Sequence, residues 1–399
     1  MKILIITPRI PYPPFRGDKL KIFNLSKQLS KNNSVTILTF LRRKNQNEDI
    51  KIFKELGIKI FTVKFSVFNS MLKVMGNLFS SLPFQAAFYS SGKMVSKLNE
   101  LKGNNYDVIY YHLVRTAQYY KPGSNNKNNL NILDFTDAVS LYLKRFTEIE
   151  KNPFKKLFIK IEKKRMEKYE KIAEKFDTLF ICSEVDKNHL INNGIKTKIN
   201  ILQNGVDTSN FKYEEIDYDK NKIIFTGNMP YFANYDAAIY FTEKIFPRIL
   251  NKKSDAKFYI VGQKPPRKIR NYSSDKIIVT GYVKDIRREY LTSCVNIAPM
   301  RFGAGTLNKI IESIALGVPV VATSLAVQGL PKEINDYIFI ADDPDSFSEK
   351  VVSILVNPER AREKVKEGRS LIKNILSWEK VVGDFEEYLK NEVGKLKVH

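Results

Sequence analysis

The chain alternates short, nearly unbroken apolar runs with longer segments patterned at helical spacing, and this alternation restricts it to few folds. "KILIIT" (Lys2–Thr7) has the apolar continuity of a strand covered on both faces, and Pro8 ends it. A Pro-rich loop holding Gly17 follows, then "KLKIFNLSKQLSK" at helical spacing, then "SVTILTF" as a second strand. Strand, loop, helix, strand is a βαβ unit, and successive units of this kind build a parallel sheet. The alternation continues through "IKIFTVKF", "YDVIYYH", "LNILDF", "DTLFICS" and "INILQNGVD".

The polar stretch "TSNFKYEEIDYDKN" reads as a linker, and a second series opens after it with "KIIFTGN", "KFYIVGQ", "KIIVTGY" and "CVNIAPM". Two such series predict an α/β protein of two doubly wound, Rossmann-like domains facing across a cleft, over residues 1–208 and 209–375. The tail, residues 376–399 around Trp378, packs on the outside of the second domain or crosses back onto the first. Ligands of such sheets sit at the carboxyl ends of the strands, which makes the cleft the expected site. Two helices are legible in more detail. "SEVDKNHLINNG" carries Ser183 as cap, Asp186 at the third helical position and Gly194 as stop. The basic segment from Asn152 to Lys175 places Phe154, Phe158, Ile161, Tyr169 and Ile172 roughly on one face.

Lys and Arg outnumber Asp and Glu by 66 to 43, a net charge of +23. That excess suits an anionic partner: membrane lipid, nucleic acid or a phosphorylated substrate. It also suits a generally lysine-rich surface. No helix-turn-helix, RNP or zinc-finger pattern is present, which argues against nucleic acid. The apolar, charge-poor stretch Phe65–Tyr89 and the Lys-rich helix from Lys155 to Lys175 together suit docking on anionic lipid, or are core helices with a solvated basic face. Cys182 and Cys294 lie in separate apolar runs and read as buried thiols of a reducing compartment; three histidines cannot build a His-rich metal site. The opening apolar run is too short for a secretory leader, and no segment approaches the roughly 18 apolar residues of a membrane span. A cytoplasmic protein is expected, peripheral at the inner face of the membrane if the lipid reading holds.

The densest chemistry lies in "RFGAGTLNKIIESIALGVPVVAT" (Arg301–Thr323). Gly303 and Gly305 let the backbone approach a ligand, and the helix that follows through Thr306, Leu307 and Asn308 aims its amides and positive dipole end at the turn. An anion such as a diphosphate suits that position, with Arg301 and Lys309 adding charge-assisted bonds. Glu312, one turn further on, suits ribose hydroxyls. A small turn with some charge on its helix occurs in many βα units and is weak evidence alone.

This stretch, with "IIFTGN" upstream, "VTGYVKDIRREYLTSCVNIAPM" between and "ITPRIPYPPFRGD" at the start, resembles the GT-B glycosyltransferases of family 4, which are retaining nucleotide-sugar enzymes. The similarity is strongest over Ile223–Thr323. It implies sugar transfer from a nucleotide donor with retention, no metal and no cofactor beyond the donor itself. In the family's E-x7-E pair the second position matches Glu312, and the first falls on Ala304. An Arg and a Lys expected after Gly227 are replaced by Asn228 and Asn234. Either Arg301 and Lys309 have taken over neutralisation of the diphosphate, or donor chemistry has been lost.

In the first domain the resemblance places Gly17 and Asp18 near the donor phosphate and His112 near the transferred sugar, as catalytic candidates. Arg115, Asp134 and Asp137 are the acceptor-binding candidates; Asp137 also fits a helix N-cap. The acceptor would be a polysaccharide, an oligosaccharide or a lipid-linked sugar. Two alternatives remain: a catalytically silent scaffold or regulator, which would release no nucleotide, and a nucleotide-sugar epimerase, which would need no acceptor.

Overall fold

A computed structural model of the chain describes residues 1–43, 46–123, 129–303 and 305–398. It forms two compact units: Met1–Gln203 together with the chain from Val381 on, and Asn204–Lys380. Each unit is built on a parallel sheet.

In the first unit the strands are β1 (Lys2–Thr7), β2 (Ser34–Leu41), β3 (Lys59–Lys64), β4 (Val108–His112), β5 (Leu130–Asp134), β6 (Thr178–Ile181) and β7 (Ile199–Ile201), in the order β3-β2-β1-β4-β5-β6-β7. In the second they are β8 (Asp219–Thr226), β9 (Lys257–Val261), β10 (Ile277–Gly281), β11 (Ser293–Ala298), β12 (Val320–Ala322) and β13 (Phe339–Ile340), in the order β10-β9-β8-β11-β12-β13. Both orders reverse beside their first strand, between β1 and β4 and between β8 and β11, where a doubly wound sheet opens a crevice for ligands. Ile3 to Ile6 of β1 and Ile223 to Phe225 of β8 are buried, as strands covered on both faces must be.

The C-terminal helix Trp378–Val398 leaves the second unit at Lys380 and packs on the first. Phe385 meets the rings of Tyr110 at 5.8 Å and Phe180 at 5.0 Å, and Tyr388 stacks edge-on to Phe180 at 5.3 Å. Lys397 pairs with Asp107 at 2.8 Å.

Two local expectations need correction. The helix Val139–Ile149 has Ala138, not Asp137, at its N-cap, and no side chain of that residue caps it. Its first amides are satisfied from a distance: Ala138 N–H donates to Asp186 at 2.9 Å and Ser140 N–H to Glu170 at 3.0 Å. In the helix Pro153–Glu170 the packed face is Ile159, Glu162, Met166 and Glu170. Of the five residues expected on one face, Phe154, Phe158 and Ile161 are exposed, and Tyr169 and Ile172 pack against the core. Ser183 does cap the helix Glu184–Asn192 by accepting from Asp186 N–H at 3.1 Å, and Gly194 turns out of it with φ +90°.

Candidate functional site

In the second unit the chain leaves β11 and is fixed by Thr323, whose hydroxyl donates to the Met300 carbonyl at 2.7 Å. Phe302 is buried against Phe232, with ring centroids 5.4 Å apart. Gly303 (φ +148°) and Gly305 (φ +75°) then take backbone conformations that side chains disfavour. Gly329 lies so close that a Cβ there would stand 2.1 Å from the Gly305 carbonyl oxygen. The helix Asn308–Ala315 starts from Leu307 with no side-chain cap, which leaves its amide end suited to an anion. Thr306 donates to the Gly329 carbonyl at 3.3 Å, and Asn204 donates to Asn308 Oδ1 at 3.0 Å. Asn308 Nδ2 is buried without a hydrogen-bond partner among the described residues. Ala304, where the first glutamate of the family pair would fall, lies outside the described residues.

Lys309 points inward. It is 7% exposed, its Nζ donates to Asn234 Oδ1 at 2.9 Å, and it lies 3.9 Å from the centroid of Phe225. Asn234 in turn donates to the Asn228 carbonyl at 3.2 Å and leans on Gly227, where a Cβ would meet it at 2.7 Å. Gly227, Asn228, Asn234 and Lys309 therefore form one hydrogen-bonded group. Burial pulls Lys309 down to about 7, against the pull of Glu312. Burial raises Glu312 to about 7, while a bond from Tyr290 OH (3.3 Å) and the Lys309 charge oppose the rise. Arg301 grips both oxygens of Asp236, through Nε at 2.9 Å, and sits over Tyr240 at 4.9 Å. Tyr290 and Asp236 carry no motif that marks them in the sequence.

At the carboxyl ends of β1 and β4 in the first unit, Thr7 Oγ1 is 3.0 Å from His112 Nδ1. His112 is 1% exposed, and its Nε2 has no hydrogen-bond partner among the described residues. Burial lowers its pKa to about 4, despite the nearby carboxylates of Asp134 and Asp18, so the ring is neutral at pH 7. Asp18 accepts from Arg9 at 2.6 Å and Arg16 at 3.1 Å. Those cations hold its carboxyl well below the usual range, overcoming burial. Gly17 opens the helix Gly17–Leu29 with nothing within 4 Å of a built Cβ.

Asp134 behaves differently from its expected role. Its Oδ1 accepts from Lys21 Nζ (2.9 Å) and Thr136 N–H (2.8 Å), and its Oδ2 from Tyr110 OH (2.6 Å) and Thr136 Oγ1 (3.3 Å). Wholly buried and bonded at both oxygens, it has no oxygen left for an acceptor, and the structure assigns it instead to a supporting network with Lys21 and Cys182. Asp137 is half-buried beside Asp186, and burial with that second carboxylate pushes its pKa up. Arg115 lies in the turn Val114–Tyr119 beyond β4, 5.4 Å from the ring of Tyr89. Cys182 and Cys294 are both buried thiols.

Two parallel doubly wound sheets, with a glycine turn and an uncapped helix carrying Lys309 and Glu312 in the second unit, define a doubly wound α/β class. Residues 220–357 match the family model described as "Glycosyl transferases group 1". The structure is similar to sucrose-phosphate synthase from Thermosynechococcus elongatus, with TM-score 0.71 and 13% identity over 99% of this chain and 100% of that one. It is likewise similar to Alr3699/HepE of Anabaena in complex with UDP, with TM-score 0.68 and 13% identity over 98% and 100%. A sequence relative, an uncharacterized 44.6 kDa protein in the cps region of Klebsiella pneumoniae, is 25% identical over 386 residues, 91% of this chain and 93% of the relative. The chain has the GT-B fold and is a glycosyltransferase. Among the described residues no helix is long and apolar enough to cross a membrane.

Proposed function

We propose that this chain is a retaining, metal-independent glycosyltransferase of family 4. It moves a sugar from a nucleoside-diphosphate sugar to a hydroxyl of a polysaccharide, oligosaccharide or glycolipid. The second unit binds the donor and the first binds the acceptor. The observation that carries this reading is the bond from Lys309 to Asn234. Asn234 occupies the position where the family resemblance expects a lysine, and the ammonium of Lys309 arrives beside it from another element. The cation is supplied from the donor helix, so diphosphate neutralisation is retained.

In this reading the amide end of the Asn308–Ala315 helix and Lys309 hold the diphosphate, and Glu312 accepts from the ribose hydroxyls. Arg301, with its side chain 44% exposed, exchanges Asp236 for a phosphate oxygen. The bond from the anomeric carbon to the diphosphate oxygen breaks. The acceptor hydroxyl oxygen bonds the same face of that carbon, and its proton passes to an oxygen of the leaving diphosphate. The protein positions the partners and stabilises leaving-group charge. Neutral His112 offers Nε2 to a sugar hydroxyl. UDP is the nucleotide favoured, because the structurally similar HepE forms complexes with UDP and with UDP-glucose.

The first unit also carries a face suited to an anionic membrane. Phe68, Met71, Leu72 and Met75 of the helix Val67–Gly76, with Phe79 beyond it, are exposed, as are Phe154, Leu157 and Phe158. The two groups are tied together: Phe84 stacks on Phe158 at 5.2 Å, and Arg165 donates to the Leu78 carbonyl. Lys155, Lys160 and Lys164 on the same helix are exposed beside them. Apolar anchors bordered by lysines match a lipid surface of negative charge.

Nucleotide release from a panel of nucleotide sugars, with and without sugar and lipid-linked acceptors, tests the reading, and proton NMR of the product reads the anomeric configuration. Release that requires an acceptor and a product of unchanged anomeric configuration support it. Donor turnover without acceptor would indicate an epimerase, and no release from a folded sample a silent scaffold.

A further inference from the structure

A second charged site lies in the first unit, built around the buried ring of Tyr89. Three guanidinium groups approach that ring: Arg42 at 5.3 Å, Arg115 at 5.4 Å and Arg9 at 5.8 Å. Arg42 also donates to Tyr89 OH at 2.7 Å. Arg16 joins them through Asp18, which it shares with Arg9. These residues follow the carboxyl ends of β1 (Arg9, Arg16), β2 (Arg42) and β4 (Arg115), the end at which ligands of such sheets bind.

The charge there is not balanced. Among the described residues Asp18 is the carboxylate that pairs with these arginines, leaving four guanidinium groups against one paired carboxylate. Lys19 adds a further cation nearby, with Asp49 beside it. Arg42 Nε and Arg115 Nε are sealed from solvent with no hydrogen-bond partner among the described residues. Burial and the neighbouring guanidinium groups pull both arginines below their usual pKa. Half-buried cations crowded together with unused donors are costly unless an anion joins them. Guanidinium forks from several directions fit the oxygens of a phosphoryl group, which each can bind in bidentate fashion.

We infer that Arg9, Arg16, Arg42 and Arg115 form a phosphoryl-binding site, so that the acceptor of this glycosyltransferase carries a phosphate or diphosphate close to the hydroxyl it offers. This rests on the assignment of the first unit to the acceptor. The phosphate would belong to a lipid-linked or to a soluble sugar phosphate, and the two share the same recognition.

The test measures binding to the full chain by calorimetry for pyrophosphate, glucose 1-phosphate, a short-chain polyprenyl diphosphate, glucuronate and UDP. Wild type, Arg42→Gln, Arg115→Gln and Glu312→Ala are compared, with folding checked by a cooperative melt. Titrated with the donor site filled by saturating UDP, the phosphoryl compounds are expected to bind wild type and to weaken by at least about tenfold in each arginine variant. UDP is expected to respond to Glu312→Ala and not to the arginine variants. Tighter binding of the polyprenyl compound than of glucose 1-phosphate would assign a lipid-linked source, and the reverse a soluble one. Glucuronate binding as well as the phosphates, or UDP binding lost in the arginine variants, would overturn the inference. Loss of UDP binding in neither set would instead sink the donor assignment and leave this site standing. Should the arginine variants fail to fold, phenylglyoxal labelling of wild type decides: pyrophosphate is expected to protect Arg42, and labelling unchanged by pyrophosphate overturns the site.

Discussion

Lys309 Nζ and Asn234 Oδ1 stand 2.9 Å apart, one on the helix after the glycine turn and the other in the helix Phe232–Tyr240 that follows β8. A chain that lacks the lysine expected at residue 234 thus has an ammonium beside that residue. The substitution is legible as a pair. Asn234 is short enough to leave room, and its amide oxygen accepts from the incoming cation.

A pH dependence follows from this pair. Lys309 is lowered to about 7 by burial, so it loses its proton through neutrality in the ligand-free protein. The contribution of Lys309 to UDP affinity is therefore predicted to fall as pH rises from 6 to 9, read as the difference in slope between wild type and Lys309→Met, because Glu312 titrates near 7 with the opposite sign in both proteins. Removing one charge-assisted bond should weaken UDP by about tenfold to a hundredfold, read by calorimetry. The double exchange Asn234→Lys with Lys309→Asn should restore much of it.

The glycine turn supports a second prediction. A Cβ at Gly329 would stand 2.1 Å from the Gly305 carbonyl, and one at Gly262 (φ +156°) 1.7 Å from that of Gly227. Gly329→Ala should displace the turn and abolish nucleotide binding while the unit still melts cooperatively. Gly262→Ala strikes backbone between β8 and β9 and is expected to destabilise the unit by several kcal/mol, seen as a large drop in Tm.

His112 predicts an acid limb in stability. Its folded pKa, about 4, lies below the unfolded value near 6.5, so the unfolded state takes up the proton first. Stability from this group is full above about pH 6.5, declines as pH falls, and levels off near pH 4, a change of about 3 kcal/mol at most. Denaturant melts of wild type and His112→Gln should differ in slope across that window.

Phe68→Glu with Phe154→Glu should abolish sedimentation with vesicles containing phosphatidylglycerol and leave UDP affinity unchanged. Binding by wild type should weaken as salt rises. Equal binding to neutral vesicles at every salt concentration would contradict the electrostatic part of the proposed face.

The strands were the most legible part of this fold, because β1 and β8 are buried on both faces and read as continuous apolar runs. β13, two residues long, has no such run to show. The glycine turn and the helix after it were legible from Gly303, Gly305, Lys309 and Glu312, which lie together in sequence. What sequence spacing hides is partnership across the sheet. Asp137 reads as a cap, yet the cap bonds come from Asp186 and Glu170 on other elements. Asp134 reads as a ligand group until Lys21 and Tyr110 occupy it. The aromatic face of Pro153–Glu170 has helical spacing and remains exposed, because periodicity finds a face without saying what covers it.

The most direct measurement is calorimetric titration of UDP into wild type and Glu312→Ala at pH 7. Saturable binding to wild type and a loss of about tenfold or more in the variant are predicted, since Glu312 is proposed to accept from ribose hydroxyls. Equal UDP affinity in the two folded proteins, or none in wild type, would contradict the donor site.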